Sequence, residues 1–216
     1  MRLWTRRDDR GVTLIEVLIV IVLLGIIAAP IAGALIGFLR NTNQLQFRLA
    51  ESHDAQISSA YFAQDVQSIG VHDWTAAPYP LKPSVEQNVA ATGGTYPCGT
   101  ASTPNAVLRL AWDDPAVATG TPSYVVVSYV VQVVGTEQQL RRLRCVNSSS
   151  TISSDIIIAH NLVSAPVATC ATAAGVPQSC AGLPVPQIVS LPLTVRKDGN
   201  TGNALTVTLV GQRRQT

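Results

Sequence analysis

The chain has 216 residues, of which 47% are hydrophobic and only 13% charged, and its formal net charge is +2. Soluble domains average about 25% charged residues, so this composition is not that of a disordered charged tail. The small net charge gives no basis for a strongly basic surface built to bind nucleic acid. The length suits one or two small domains with a real core.

The N-terminus combines a basic start with a long apolar run. The first ten residues contain four arginines and two aspartates, which together account for the whole net charge, and residues 17–39 carry no charge at all. As a helix this run would extend about 34 Å, enough to cross a hydrocarbon core of ~30 Å. Arginines before a span hold that end in the cytoplasm, so residues 40–216 are expected outside. A secretory signal peptide is the weaker alternative, because its apolar core is typically only ~7–15 residues long.

Glu16 is the one acid at the beginning of this apolar run. A carboxylate in hydrocarbon costs on the order of 2.5–3.5 kcal/mol even on the gentler insertion scales, so it needs a partner or a function. The alternative is a side chain that reaches back to the lipid headgroups. A functional role for Glu16 is the stronger hypothesis.

The helical pattern continues beyond the apolar run. Residues 40–69 contain no proline and no glycine, and Gly70 follows as a stop signal. An apolar stripe with near-helical spacing is formed by Leu45, Leu49, Ile57, Tyr61, Val66 and Ile69. Arg48, Glu51, Asp54 and Asp65 are expected to face mostly away from it. The sequence therefore predicts one helix of about 55 residues, with Pro30 as a weak point.

The remainder of the chain predicts a β-rich domain. Residues 71–105 are rich in proline and glycine and are expected to form an irregular loop. Strand-like runs follow at 106–112, 123–134, 138–146, 154–162, 187–195 and 204–211. The gaps are too short for crossover helices, so we expect a mainly antiparallel sheet with the amphipathic half of the helix laid across it, an α+β fold. Residues 165–186 are expected to be a surface excursion that is either a binding tip or a tied loop.

All four cysteines, Cys98, Cys145, Cys170 and Cys180, lie in the part predicted to be outside the membrane. An even number of cysteines in an oxidising compartment favours disulfides. Three pairings exist, and we favour Cys98–Cys145 and Cys170–Cys180. No CxxC pair or histidine spacing indicates a metal, so no metal site or cofactor is predicted.

No catalytic constellation is visible, and no catalytic residue is predicted. The three histidines are scattered, and His160 is expected to have a hydrogen-bonded packing role in a strand. Calcium binding at 113–114 or 198–203 is less favoured than ordinary turns, because calcium wants six or more oxygen ligands. The basic run 141–144 is expected at an exposed sheet edge or face.

The stretch Arg10-Gly11-Val12-Thr13-Leu14-Ile15-Glu16 resembles the processing site of type IV pilin-like proteins. These have a basic leader that ends in glycine, usually followed by phenylalanine or methionine, then T-L-I-E and a long apolar run. Val12 departs from that pattern. The resemblance implies that a membrane-embedded prepilin peptidase cuts after Gly11 and methylates the new amino terminus on Val12. It also implies that Glu16 pairs with the N-terminal amine of a neighbouring subunit.

The resemblance predicts four segments: a leader at 1–11, a transmembrane and filament-core helix at 12–39, an amphipathic helix at 40–70, and an extracytoplasmic β-rich domain at 71–216. The predicted protein is a single-pass protein of the cytoplasmic membrane with its N-terminus in the cytoplasm. It is expected not to be an enzyme but a minor structural subunit of a type IV pilus or a type II secretion pseudopilus. It would assemble with other pilin-like subunits into a hetero-oligomeric filament.

The outer part is similar to J-type minor pseudopilins or W-type minor pilins, a looser resemblance than the N-terminal one. The alternative is a filament-tip or membrane-anchored adhesin that displays a ligand-binding or DNA-binding module on a pilin-type stalk. A nucleic-acid partner is not favoured by the residues, but it stays open because some pilin-like filaments take up DNA.

Overall fold

The computed structural model describes residues 13–114, 123–196 and 204–214, with the side chains of residues 40, 41 and 43–52 outside this description. One helix, α1, extends over Leu14–Ser68, a length of 55 residues, as the sequence predicts. The carbonyl of Thr13 accepts hydrogen bonds from the amides of Glu16 and Val17 at its start. Pro30 lies inside the helix without ending it. After the last turn Gly70 has φ 143°, a backbone conformation that favours glycine.

The chain divides into two compact units, Met1–Arg48 and Leu49–Thr216. Within the first unit, Leu14–Leu39 is long and apolar enough to cross a membrane, with mean hydropathy 2.9. None of this stretch is buried within the chain. So much exposed aliphatic surface is unfavourable in water and requires lipid or other helices around it.

The second unit contains eleven strands among the described residues. They are β1 (Val71–His72), β2 (Leu81–Lys82), β3 (Val85–Val89), β4 (Ala106–Asp113), β5 (Tyr124–Val134), β6 (Glu137–Val146), β7 (Ser154–Ala159), β8 (Thr169–Ala171), β9 (Pro177–Gln178), β10 (Ile188–Val195) and β11 (Leu205–Gln212). The five-stranded sheet has the order β3-β4-β5-β6-β7, the four-stranded sheet β11-β10-β8-β9, and β1 pairs with β2 alone. All neighbouring strands pair antiparallel. The predicted α+β fold is confirmed.

Three details of the sequence prediction are wrong. Residues 71–105 are not simply a loop, because they supply β1, β2 and the edge strand β3. The excursion at 165–186 contains β8 and β9, which belong to the four-stranded sheet. A single sheet is also not observed, since β10 and β11 pair in that second sheet. Short strands interrupted by proline lack the alternating pattern that reveals longer ones, and Pro177 is tolerated in β9 because β9 is an edge strand.

One core joins the helix to both larger sheets. Phe62, Val66 and Ile69 of α1 are fully buried in it, together with side chains of the five-stranded and four-stranded sheets. The ring of Phe62 packs edge-on against that of Tyr129, with centroids 5.5 Å apart. A Cβ atom at Gly211 would overlap the side chain of Val66, so glycine there lets β11 approach the helix closely.

Candidate functional site: the N-terminal segment and a buried helix anchor

The first described residues after the predicted cleavage position form the first turn of α1. Gly11 and Val12 themselves lie outside the described residues. Glu16 is the acid of this turn, and its side chain is exposed. The free amide groups and the dipole at a helix N-terminus favour a carboxylate there, typically by about 0.3–1 kcal/mol at a surface.

The surroundings of Glu16 are otherwise apolar. Its neighbours Leu14, Ile15, Val17 and Leu18 are all exposed aliphatic residues. Among the side chains that the structure describes, no basic group forms an ion pair with Glu16. Within the described residues, the first turn therefore presents a carboxylate on an otherwise apolar and exposed helix surface.

A second site lies where the end of α1 packs in the outer unit. Asp65 is only 2% exposed, and Arg142 of β6 donates two hydrogen bonds to it, from Nε to Oδ2 at 2.7 Å and from Nη2 to Oδ1 at 2.6 Å. The hydroxyl of Tyr129 on β5 donates to Oδ2 at 2.5 Å. The ring of Tyr61 lies 5.2 Å from the guanidinium carbon of Arg142, a cation–π distance. We call Asp65, Tyr129 and Arg142 the helix anchor.

The electrostatics of the helix anchor keep its arginine charged and its tyrosine neutral. Burial opposes the charge on Arg142, but the hydrogen bonds and attraction of Asp65 outweigh it and raise the pKa of Arg142. Burial, followed by the nearby Asp65 carboxylate, raises the pKa of Tyr129 well above its usual value. The hydroxyl of Tyr129 therefore remains a proton donor at neutral pH.

The helix anchor corrects two expectations from the sequence. Asp65 does not face away from the packed side of α1. Arg142 lies neither at an exposed sheet edge nor on an exposed face, because β6 is an interior strand and the side chain is only 8% exposed. The neighbouring Arg141 does remain near the surface, where it binds Asp155 through two hydrogen bonds of 2.9 Å. The sequence signal for the helix anchor is weak: an acid, Asp65, and a base, Arg142, each stand beside apolar residues, but they are 77 residues apart in the chain.

Comparison with known proteins bears on the first of these sites. Residues 6–32 match the prokaryotic N-terminal methylation motif, a stretch that includes Gly11, Val12 and Glu16. The chain carries a type IV pilin-like prepilin segment. No curated protein matches the chain. The motif implies processing by a prepilin peptidase and assembly with other pilin subunits in the membrane, and the apolar helix fits a membrane anchor.

Outside the prepilin segment, the structure contains both disulfides that the sequence analysis favours. Cys98 is bonded to Cys145 and Cys170 to Cys180, separated by 47 and 10 residues respectively. The first ties the loop after β3 to β6, and the second links β8 to the segment that follows β9. Both bonds fit an oxidising location outside the membrane.

The histidines and acids predicted as minor candidates fall into separate places. His160 lies just beyond β7 instead of inside a strand, and its Nδ1 is 2.7 Å from Oδ2 of Asp54 on α1. Asp113 is hydrogen-bonded to His72, whereas the turn at 198–203 lies outside the described residues. Within the ranges that the structure describes, no three histidine, cysteine or acidic side chains cluster as a metal site would require.

Proposed function

We propose that this protein is a minor structural subunit of a type IV pilus or of a type II secretion pseudopilus, cleaved after Gly11 and assembled through α1. The observation that carries the proposal is the matched segment at 6–32 running directly into an unbroken helix with one acid in its first turn. Helix α1 then ends in the core of a disulfide-bonded β domain. Such a subunit needs no catalytic residues of its own.

The proposed partner of Glu16 is the amine that cleavage creates on Val12 of a neighbouring subunit. Two unit charges 4 Å apart attract by about 4 kcal/mol at an effective dielectric constant of 20. That attraction offsets the roughly 2.5–3.5 kcal/mol cost of placing the carboxylate in hydrocarbon. Sliding one helix along another would separate the pair and restore the cost, so Glu16 sets the axial register between subunits.

The four predicted segments then have distinct roles. Residues 1–11 are removed, and residues 12–39 hold the subunit in the bilayer before assembly and form the filament core afterwards. Residues 40–70 carry the helix into the outer domain, where the helix anchor fixes its end, and residues 71–216 face outward. When a subunit passes from the bilayer into the filament, its apolar helix exchanges contacts with lipid for contacts with other helices. The work of extracting the helix from the bilayer is supplied from outside the chain.

A minor rather than a major subunit is proposed because of the size of the outer domain. Two sheets of four and five strands, with two disulfides, exceed what a minimal repeating subunit needs. The arrangement supports a J-type minor pseudopilin or a W-type minor pilin, which would join a filament with different pilin-like subunits.

Substitution of Glu16 tests assembly. We expect Glu16→Ala to be processed and to remain stable in the membrane, but to enter filaments at least about tenfold less, because a lost interaction of 1.4 kcal/mol is a factor of ten. Glu16→Asp, which keeps the charge, is the matched control and should retain part of the incorporation. Sheared filaments and membranes are compared by immunoblot. Normal incorporation of Glu16→Ala would contradict the register role.

Mass spectrometry of the native N-terminus tests processing. We expect the mature chain to begin with methylated Val12, and Gly11→Val to leave the full-length precursor, because the peptidase requires the glycine that ends the leader. Met1 retained on the wild-type protein, in cells with an active prepilin peptidase, would refute the proposed function as a whole.

A further inference from the structure

A cleft of about 280 Å³ lies in the outer unit beside β1, away from the prepilin segment. Its lining includes His72, Trp74, Thr75, Thr95, Tyr96 and Asp113. Clefts for drug-sized ligands measure about 300–1,000 Å³, so this one has room for a single ring. We call it the Trp74 cleft.

Exposed aromatic rings mark the Trp74 cleft. Trp74 and its neighbour Tyr79 are each 49% exposed, with ring centroids 5.5 Å apart, and the ring of His72 lies 5.4 Å from Trp74. The other aromatic side chains described in Leu49–Thr216 are buried or half-buried. An indole left half-exposed at the mouth of a cleft offers a flat apolar face to a ligand.

Hydrogen bonds hold the Trp74 cleft in place before any ligand arrives. The indole N–H of Trp74 donates to Oδ1 of Asp113 at 3.4 Å, and Oδ2 of Asp113 accepts the backbone N–H of His72 at 3.2 Å. The adjoining turn is also held, because Oδ1 of Asp73 accepts hydrogen bonds from both the amide and the hydroxyl of Thr75. A preformed site loses less conformational entropy on binding.

The charged groups of the Trp74 cleft are paired within the chain. Lys82 forms an ion pair of 3.3 Å with Asp73, and the carboxylate of Asp113 is 2.5 Å from Nδ1 of His72. Neither sign of charge is therefore left to select an anion or a cation. The remaining polar groups are neutral hydroxyls, including that of Tyr96 on the floor, whose pKa burial raises to about 12. The Tyr96 hydroxyl lies near Ser84 but has no hydrogen bond of normal geometry among the described residues.

We propose that the Trp74 cleft binds one ring of a neutral saccharide. A pyranose ring has a face of C–H groups that stacks on an indole, and an edge of hydroxyls that both donate and accept hydrogen bonds. The cleft offers the matching surfaces: the Trp74 face for the C–H groups, and the hydroxyls of Thr75, Thr95 and Tyr96 for the ring hydroxyls. The site does not depend on filament assembly, so the two proposals fail separately.

Saturation-transfer NMR on the full-length protein in detergent micelles tests this site. The probes are glucose, galactose, mannose, N-acetylglucosamine and N-acetylgalactosamine, each at up to roughly 20 mM, because a one-ring cleft is expected to bind in the millimolar range. We expect at least one of these sugars to receive saturation, strongest on the C–H protons of one ring face. Trp74→Ala should reduce that transfer at least about tenfold, while Trp74→Phe, which keeps a ring, should restore part of it.

The control is Leu183→Ala, which removes an apolar side chain from the segment after β9 that is 65% exposed, against 49% for Trp74. It should leave saccharide binding unchanged, and Trp74→Ala should unfold at the wild-type temperature because Trp74 is not in the core. The proposal is overturned if none of the five sugars binds or if binding survives Trp74→Ala. It is also overturned if a cation (choline) or an anionic sugar (sialic acid), tested in the same way, binds in place of the neutral sugars.

Discussion

Removing the charge of Asp65 is the sharpest test of how the end of α1 is held. In Asp65→Asn the side chain keeps its shape, but the guanidinium of Arg142, 8% exposed, is left buried without a counter-charge. Breaking a buried ion pair in this way typically costs about 3–5 kcal/mol. For a unit of 150–250 residues each kcal/mol lowers Tm by about 2–4 °C, so we expect a fall of roughly 6–20 °C.

The control for this experiment is the ion pair of Arg141, which is the residue before Arg142 on β6. Arg141 binds Asp155 with the same two-bond geometry, but the Asp155 side chain is 40% exposed. Exposed pairs contribute about 0–1 kcal/mol, so Asp155→Asn should lower Tm by no more than about 4 °C. Thermal unfolding of the full-length protein, followed by near-ultraviolet circular dichroism at pH 7, compares the two variants.

A second comparison separates the burial of a lone charge from the value of the pair. Replacing all three members of the helix anchor, as Asp65→Leu, Arg142→Met and Tyr129→Phe, leaves no charge or donor without a partner. Well-packed apolar replacements of buried pairs are often neutral or stabilising, so most of the lost Tm should return. Equal effects of Asp65→Asn and Asp155→Asn would refute the reasoning, because the cost would then not come from burial.

Two further predictions concern the outer domain. Replacing Cys98 and Cys145 by serine should lower the free energy of unfolding by about 4 kcal/mol, against about 3 kcal/mol for Cys170 and Cys180. The difference is expected because the bond that closes the longer loop restricts the unfolded chain more. Denaturant titration measures both values, and the reverse order would contradict the loop-entropy argument. Above pH 10 the folded state holds the proton of Tyr96 more tightly than the unfolded state, since its pKa is raised to about 12. The contribution of Tyr96 to stability should therefore be fully present below pH 10, and the free energy of unfolding should fall by up to about 1.4 kcal/mol per pH unit towards pH 12. Tyr96→Phe should reduce this slope when the denaturant midpoint is followed against pH. An unchanged slope in Tyr96→Phe would contradict the prediction.

The long helix and the prepilin segment could be predicted from residues that are close together in the chain. Helical periodicity, the absence of charge over 17–39 and the order of Gly11 and Glu16 are local properties, and a helix satisfies its backbone hydrogen bonds locally. The six longer strands could be predicted within a few residues for the same reason, since their apolar character repeats along the chain. The two disulfide pairings favoured from the sequence were one choice among three, and the structure decided between them.

Only the tertiary structure decided what lies between those elements. Asp65 and Arg142 are charged residues that would normally be expected at the surface. Their burial is tolerable only because the fold pairs them, although they are 77 residues apart in the chain. The division of the strands among three sheets depends on pairing partners that no local sequence pattern identifies, and so do the short strands within 71–105. The Trp74 cleft likewise exists because β1, β4 and β5 bring Trp74, Asp113 and Tyr124 together. The sequence determines which side chains are present, but the free energy of a buried charge or an exposed ring depends on which residues, distant in the chain, lie beside it.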